Sequence, residues 1–310
     1  MESALPGIVL TRDLIAADGR RVAARGAVID LKALREAAAS APALPVRPLR
    51  ETAVAEAITE ALEAEPFRHL LAAPGARARC AAVLEELRFP DAIWDELEAL
   101  GSEDRVRFTH AIWTALVAAR LFGCALGDAP GLSRIVGGAL VHDLGMRFCA
   151  PKLREKRDHL TPEDAASLEH HPLLGALLLA SSLGDAPAVR LALCHHLRSG
   201  FGYPRMARPQ PLLGLDLLSV ASAFAAMVAS RSFRPEPFSP RGAIDQLLEE
   251  ARAGHFDLRA VRLLIHCMRG GISPLPELKL PRRATGVRPQ VNFHGLARAA
   301  SAAPGRPLGS

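Results

Sequence analysis

Val141-His142-Asp143-Leu144-Gly145 closes an apolar stretch and sets two metal-competent side chains side by side. Neighbouring residues on a helix point about 100° apart, so both can reach one bundle centre, or two adjacent metals. Gly145 relaxes the backbone and suits a helix end. Taken alone the dipeptide has two readings, a hydrogen-bonded or capped pair and a pair of ligands.

Working outward, His110 lies one expected helix upstream. Downstream come Glu169-His170-His171-Pro172 and then His195-His196, followed by the loop Gly200-Phe201-Gly202-Tyr203-Pro204. Seven of the eleven histidines fall between positions 110 and 196, where an even scatter would place roughly three. Imidazoles and carboxylates suit Zn, Mn and Fe without thiolates. Each signal also has a plainer reading by itself. His110 reads as a core or surface histidine, Pro172 as a kink or a new first turn, and the glycine loop as an ordinary helix stop. Jointly they point to helices converging on one buried centre.

The rest of the chain supplies those helices. Periodicity predicts them at about 77–88, 90–100, 104–123, 131–147, 162–182, 186–197, 211–230, 240–252 and 257–269, with Thr161 capping the one that Pro162 opens. Residues 5–32 differ, with β-branched runs around Asp18-Gly19 that predict a small hairpin element. The expected organisation is a β-rich N-terminal module and linker (1–48), a helical connecting region (49–104), a metal-binding helical domain (105–272) and a flexible basic tail (273–310).

Composition fits a globular protein, at 49% hydrophobic and 23% charged. With Tyr 1 and Trp 2, stacking platforms for single-stranded nucleic acid are not expected. The six cations from Lys279 onward exceed the net charge of +5, so the body is close to neutral and no duplex-binding face is indicated. Five scattered cysteines without CxxC spacing, no signal-peptide pattern and no convincing span predict a cytoplasmic protein with reduced thiols and no membrane partner. The apolar run Leu212–Ser230 reads as a buried helix.

The order His110, His142-Asp143-x-Gly, His171-Pro, His195-His196 and Gly-x-Gly-Tyr-Pro resembles the HD-GYP family of metal-dependent phosphohydrolases over about residues 105–270. The resemblance implies a mainly α, HD-type helical bundle behind a small N-terminal β-element. It implies one or two divalent metal ions (Fe, Mn or Zn) and hydrolysis of cyclic di-GMP in bacterial signal transduction, with signalling proteins as further partners. Carried over residue by residue, His110, His142 and Asp143 hold one metal. Asp143, His171, His195 and His196 hold the other, with His142 and Asp143 as the catalytic pair. Arg231, Arg234 and Tyr203 fall where substrate contacts are expected.

Several positions depart from that pattern. Ser222 stands where the family carries an aspartate ligand, and Ala225 replaces a second aspartate. Met146 replaces a lysine expected near the scissile phosphate. Leu197, Ser199 and Val106 replace acidic residues. Asp216, about 600° earlier on its helix, faces elsewhere. Two functions follow: a phosphodiesterase of reduced activity, or a catalytically impaired domain acting as a cyclic di-GMP receptor or interaction module. A general HD nucleotidase is disfavoured by the Gly-Tyr-Pro loop.

Overall fold

The computed structural model describes residues 7–49, 53–149, 153, 156–198, 201–206, 214–272, 280 and 284–292. At the N-terminus β1 (Ile8–Val9) pairs antiparallel with β4 (Val28–Ile29), and β2 (Leu14–Ile15) pairs with β3 (Arg21–Ala23). Between the inner pair, Gly19 takes φ 82° and Asp18 accepts the Arg20 N–H at 2.9 Å, the turn expected of Asp-Gly. Leu10, Leu14, Ala16 and Ile29 are buried in the same core as the helices, so this element is part of the bundle's packing. Arg12 donates to the Phe148 carbonyl at 3.1 Å, and Arg20 reaches Ser181 and Ser182.

Helices follow: α1 (Leu31–Ala39), α2 (Ala53–Glu63), α3 (Ala76–Glu85), α4 (Asp91–Glu103), α5 (Arg105–Leu126) and α6 (Leu132–Val141). The expected linker is not free, because β5 (Val46–Pro48) pairs antiparallel with β6 (Arg88–Pro90) just ahead of α4. Helix α5 is the axis of the bundle. Asp104 caps it by accepting the Arg107 N–H, and α2, α3, α4 and α6 all pack on it. Among the described residues it is the helix long and apolar enough to cross a membrane, yet 72% of its apolar window is buried among its neighbours.

Three long helices expected from periodicity are interrupted. The 131–147 stretch leaves α-helix at Val141 and resumes as a 3-10 turn, Leu144–Phe148. The 162–182 stretch splits into α7 (Pro162–Leu168) and α8 (His171–Leu183), because Pro172 has no N–H to continue the ladder. The third, 186–197, stops as α9 (Pro187–Cys194), after which β7 (Leu197–Arg198) pairs with β8 (Phe201–Gly202). Gly202 is required there twice over, with φ 93° and no room for a Cβ against the His196 carbonyl.

The remaining helices are α10 (Leu215–Val228), α11 (Pro240–Arg252) and α12 (Leu258–Met268). α10 packs along α5, as expected of a buried helix, and its 14 residues are too few for a span. The expected flexible tail is corrected in part. Thr285 and Gly286 donate their N–H groups to Asp245 at 2.8 and 2.9 Å, Ser239 N–H reaches the Val287 carbonyl, and Arg288 pairs with Glu249. The absence of acids and of periodicity hid backbone bonds that need neither. The other tail positions lie outside the described residues.

Candidate metal centre

Three of the interruptions make the site. A helix end leaves carbonyls without an intrahelical partner, and in each case a histidine uses one of them. His142, the residue that ends α6, places Nδ1 2.7 Å from the Ala139 oxygen. His195, ending α9, does the same with Ala192 at 2.7 Å. His171 bonds Leu168 at 2.6 Å, the carbonyl that Pro172 cannot serve. A carbonyl only accepts, so the proton sits on Nδ1 and each Nε2 presents a bare lone pair.

Those lone pairs converge. His171 Nε2 lies 3.1 Å from His195 Nε2, and the two face Asp143 Oδ1 at 3.2 and 3.3 Å. With every proton on the far side of its ring, Oδ1 has no hydrogen-bond donor although it is buried. His196 completes this half, and Asp143, His171, His195 and His196 bring their ligand atoms within 4.8 Å of one another. The Asp143 carboxylate and the two Nε2 lone pairs, with no proton between them and the His196 ring alongside, are an arrangement that a cation satisfies. The donor set therefore fits a divalent metal.

The second half is built differently. His110 projects from the interior of α5, where every carbonyl is already in use, and its Nδ1 is buried without a partner. With His142 and Asp143 it forms a second group of potential ligands. The Asp143 Oδ2 lies 3.6 Å from His110 and 3.8 Å from His142. Between the two imidazoles stands the Ser222 hydroxyl, 3.3 Å from His110 Nε2 and 3.4 Å from His142 Nε2. A hydroxyl brings its own proton and can donate to either ring.

Electrostatics agree with a deprotonated cluster. Burial lowers His142 to about 4, and it takes His110, His195 and His196 downward as well. Burial thus favours the neutral, metal-binding form of these four imidazoles.

The glycines explain how the two arms meet. Gly145 does not sit at positive φ, so its role is space rather than backbone freedom. A Cβ there would collide with the His171 carbonyl and crowd Gly175 N, and without it the 3-10 turn lies directly on α8. Behind this turn the buried Glu96 accepts the Ala17 N–H at 2.6 Å and pairs with Arg147. Nothing in the sequence signalled that brace, since an isolated glutamate on α4 reads as a solvated face.

Of the other expected positions, Tyr203 stacks on His196 with ring centroids 4.4 Å apart and an interplanar angle of 26°. Arg231 sits close enough for its charge to lower His110 and to interact with Asp143. Arg234 is spent elsewhere. Its guanidinium bonds the Ala226 and Ala229 carbonyls and lies over Phe233 and Phe238, so it braces the turn after α10. Met146 is 6% exposed and packs with Cys149 and Leu153 in a small apolar cluster. Ser199 lies outside the described residues.

No family model matches the chain. Among curated proteins it is similar to the cyclic di-GMP phosphodiesterase PdeB of Borreliella burgdorferi, 25% identical over 167 residues, which is 51% of this chain and 42% of that protein. It is also 34% identical over 114 residues to a cyclic di-GMP phosphodiesterase of Thermotoga maritima, 34% of this chain and 30% of that one. The chain thus spans less than half the length of these relatives. The matches support the HD-GYP reading of the sequence.

Proposed function

We propose that this chain is a metal-dependent phosphodiesterase that hydrolyses cyclic di-GMP. The observation that carries the reading is the converging set of ligand atoms on Asp143, His171, His195 and His196, set beside the second group His110, His142 and Asp143. All donors are nitrogen or oxygen, which suits Fe, Mn or Zn. When bound, such ions lower the pKa of water toward neutrality and draw charge from phosphate oxygens.

The chain's own residues supply the rest. Asp143 is shared by both groups and holds the two halves in register. The Nδ1 bonds of His142, His171 and His195 to helix-end carbonyls keep each ring in one tautomer and one orientation. Arg231 carries a positive charge at the cluster, and its guanidinium suits a phosphodiester oxygen. Tyr203 holds the His196 ring by stacking. The two named relatives act on cyclic di-GMP, and that substrate carries two phosphodiesters of the class this centre suits.

The test is metal analysis of the full chain purified without chelator, followed by cyclic di-GMP turnover on the same preparation. We expect at least one Fe, Mn or Zn per chain and a linear dinucleotide product that disappears after chelation. A metal-loaded chain that binds cyclic di-GMP and leaves it intact would overturn the hydrolase reading in favour of a receptor.

A further inference from the structure

The double-histidine arm of the centre is held from behind by two side chains that are not themselves candidate ligands. His195 caps α9, so no helix continues beyond it to donate to its carbonyl. Two groups from elsewhere fill that need. The Ser219 hydroxyl lies 3.0 Å from the His195 oxygen, and Arg198 Nη1 lies 2.8 Å from it. A hydroxyl carries one proton. Ser219 gives that proton to the His195 oxygen and accepts from Arg198 Nη1 at 3.0 Å. The three groups close on one another, and each hydrogen has one direction.

Arg198 also reaches the Leu197 carbonyl at 3.2 Å. It therefore bonds the carbonyls of the residues before and after His196. Its guanidinium carbon lies 4.8 Å from the Phe256 ring centroid, at the turn between α11 and α12, which supports the head group where it makes these bonds. His196 depends on this support more than its neighbours do. His142, His171 and His195 each rest Nδ1 on a carbonyl. Among the described residues the His196 ring has no such bond. Tyr203 holds one face of it, so its aim rests on the backbone that carries it. That backbone is closed in on the other side by Gly202, where a Cβ would strike the His196 carbonyl.

Ser219 is 5% exposed and lies on α10, three residues before Ser222. Residues three apart are neighbours on a helix surface. One face of α10 therefore meets both halves of the centre, with Ser222 between His110 and His142 and Ser219 at the His195 carbonyl.

We propose, resting on the metal-binding reading of the site, that Arg198 and Ser219 are positioning residues: their joint hold on the His195 carbonyl fixes the end of α9 and so aims His195 and His196 at Asp143. A guanidinium suits this task, because it is planar, stays charged and keeps its donors in fixed directions. Bonds from a charged donor are also stronger than those from a neutral one. Ser219 relays the hold to α10, so the arm is tied to the helix that also serves the other half.

The test is nitrogen NMR on the full chain with isotope-labelled histidine, chelated and at one fixed pH, which reports which ring nitrogen carries the proton. In the wild type His142, His171 and His195 should each carry it on Nδ1. Ser219→Ala and Arg198→Met should mix the two tautomers at His195 and leave His142 and His171 unchanged, because only the end of α9 is released. A general loosening of the core would move all three together. Ser219→Ala removes a single oxygen and decides the point should Arg198→Met fail to fold. Metal titration of the same proteins should show binding weakened by about tenfold or more, the usual cost of losing a group that orients a ligand. An unchanged His195 in Ser219→Ala, equal changes at all three histidines, or unaltered metal affinity would overturn the proposal. A wild type that holds His195 as expected and binds no metal would instead sink the reading of the site as a metal centre.

Discussion

The two halves of the metal centre share Asp143 yet solve the same problem differently. In the half made by His171, His195 and His196, every described proton points outward to a helix-end carbonyl and only lone pairs face in. In the half made by His110 and His142, the Ser222 hydroxyl stands between the imidazoles and can donate to one of them. The first half has no internal substitute for a cation. The second carries a partial one. A ligand set is thus defined as much by where its protons are parked as by which residue types it contains.

The largest effects should come from breaking the shared ligand and then each half. Asp143→Ala is expected to reduce bound metal to less than about a tenth of the wild-type content, because both groups lose a donor. His196→Ala should lower content by tenfold or more at limiting metal, whereas His110→Ala should leave most of it in place; loss of a group that merely orients a ligand already costs about 10–100-fold in affinity. Elemental analysis at matched free metal reads all three. Equal losses for His110→Ala and His196→Ala would erase the distinction between the halves.

Acid should act on the apo-protein with the next largest effect. His142 is fully buried and falls from the usual imidazole value to about 4. A depressed histidine is neutral in both states above about pH 6.5 and must be charged in the fold below 4. Its contribution is therefore full at neutral pH and is lost as pH falls through that window. That depression corresponds to about 3 kcal/mol. Denaturant unfolding of chelated protein between pH 7 and 4 measures it, and a flat profile would mean that the ring is hydrated.

The smallest change sharpens the comparison instead of breaking it. Ser222→Asp removes the internal hydroxyl and adds a carboxylate facing His110 and His142. It should raise the metal content of the weaker half and increase phosphodiester turnover by about tenfold, the order of one well-placed electrostatic element. A companion Met146→Lys is not expected to help, since Met146 lies in an apolar cluster where an ammonium would be buried. Titration of metal per chain together with initial rates decides both points.

Much of this was legible before any coordinates. Histidine spacing and the His142-Asp143 pair pointed to helices converging on one buried centre, the family resemblance named the candidate ligands, and apolar periodicity gave the helices that carry them. Asp18-Gly19 gave the N-terminal hairpin. Apolar spacing alone runs helices through 131–147, 162–182 and 186–197, because it continues across the stops, although Pro172 already reads as a kink or a new first turn. Gly145 read as a source of backbone freedom, although it is there to let two segments touch. Met146 read as a missing cation, although it fills a small core of its own.

What the sequence determined by itself was local: the period of each helix, the turn at Asp18-Gly19, and the proline that separates α7 from α8. Those follow from side-chain chemistry and near-neighbour sterics, which a linear chain already contains. The tertiary structure decided which carbonyls fix the histidine tautomers, which arginine reaches the cluster, and that Thr285–Arg288 rests on α11. Each of these joins groups far apart in the chain, or depends on packing that has to close before the distance exists. Arg231 and Arg234 make the point in three residues: equally basic and equally placed on paper, one is brought to the metal ligands and the other is consumed by the Ala226 and Ala229 carbonyls.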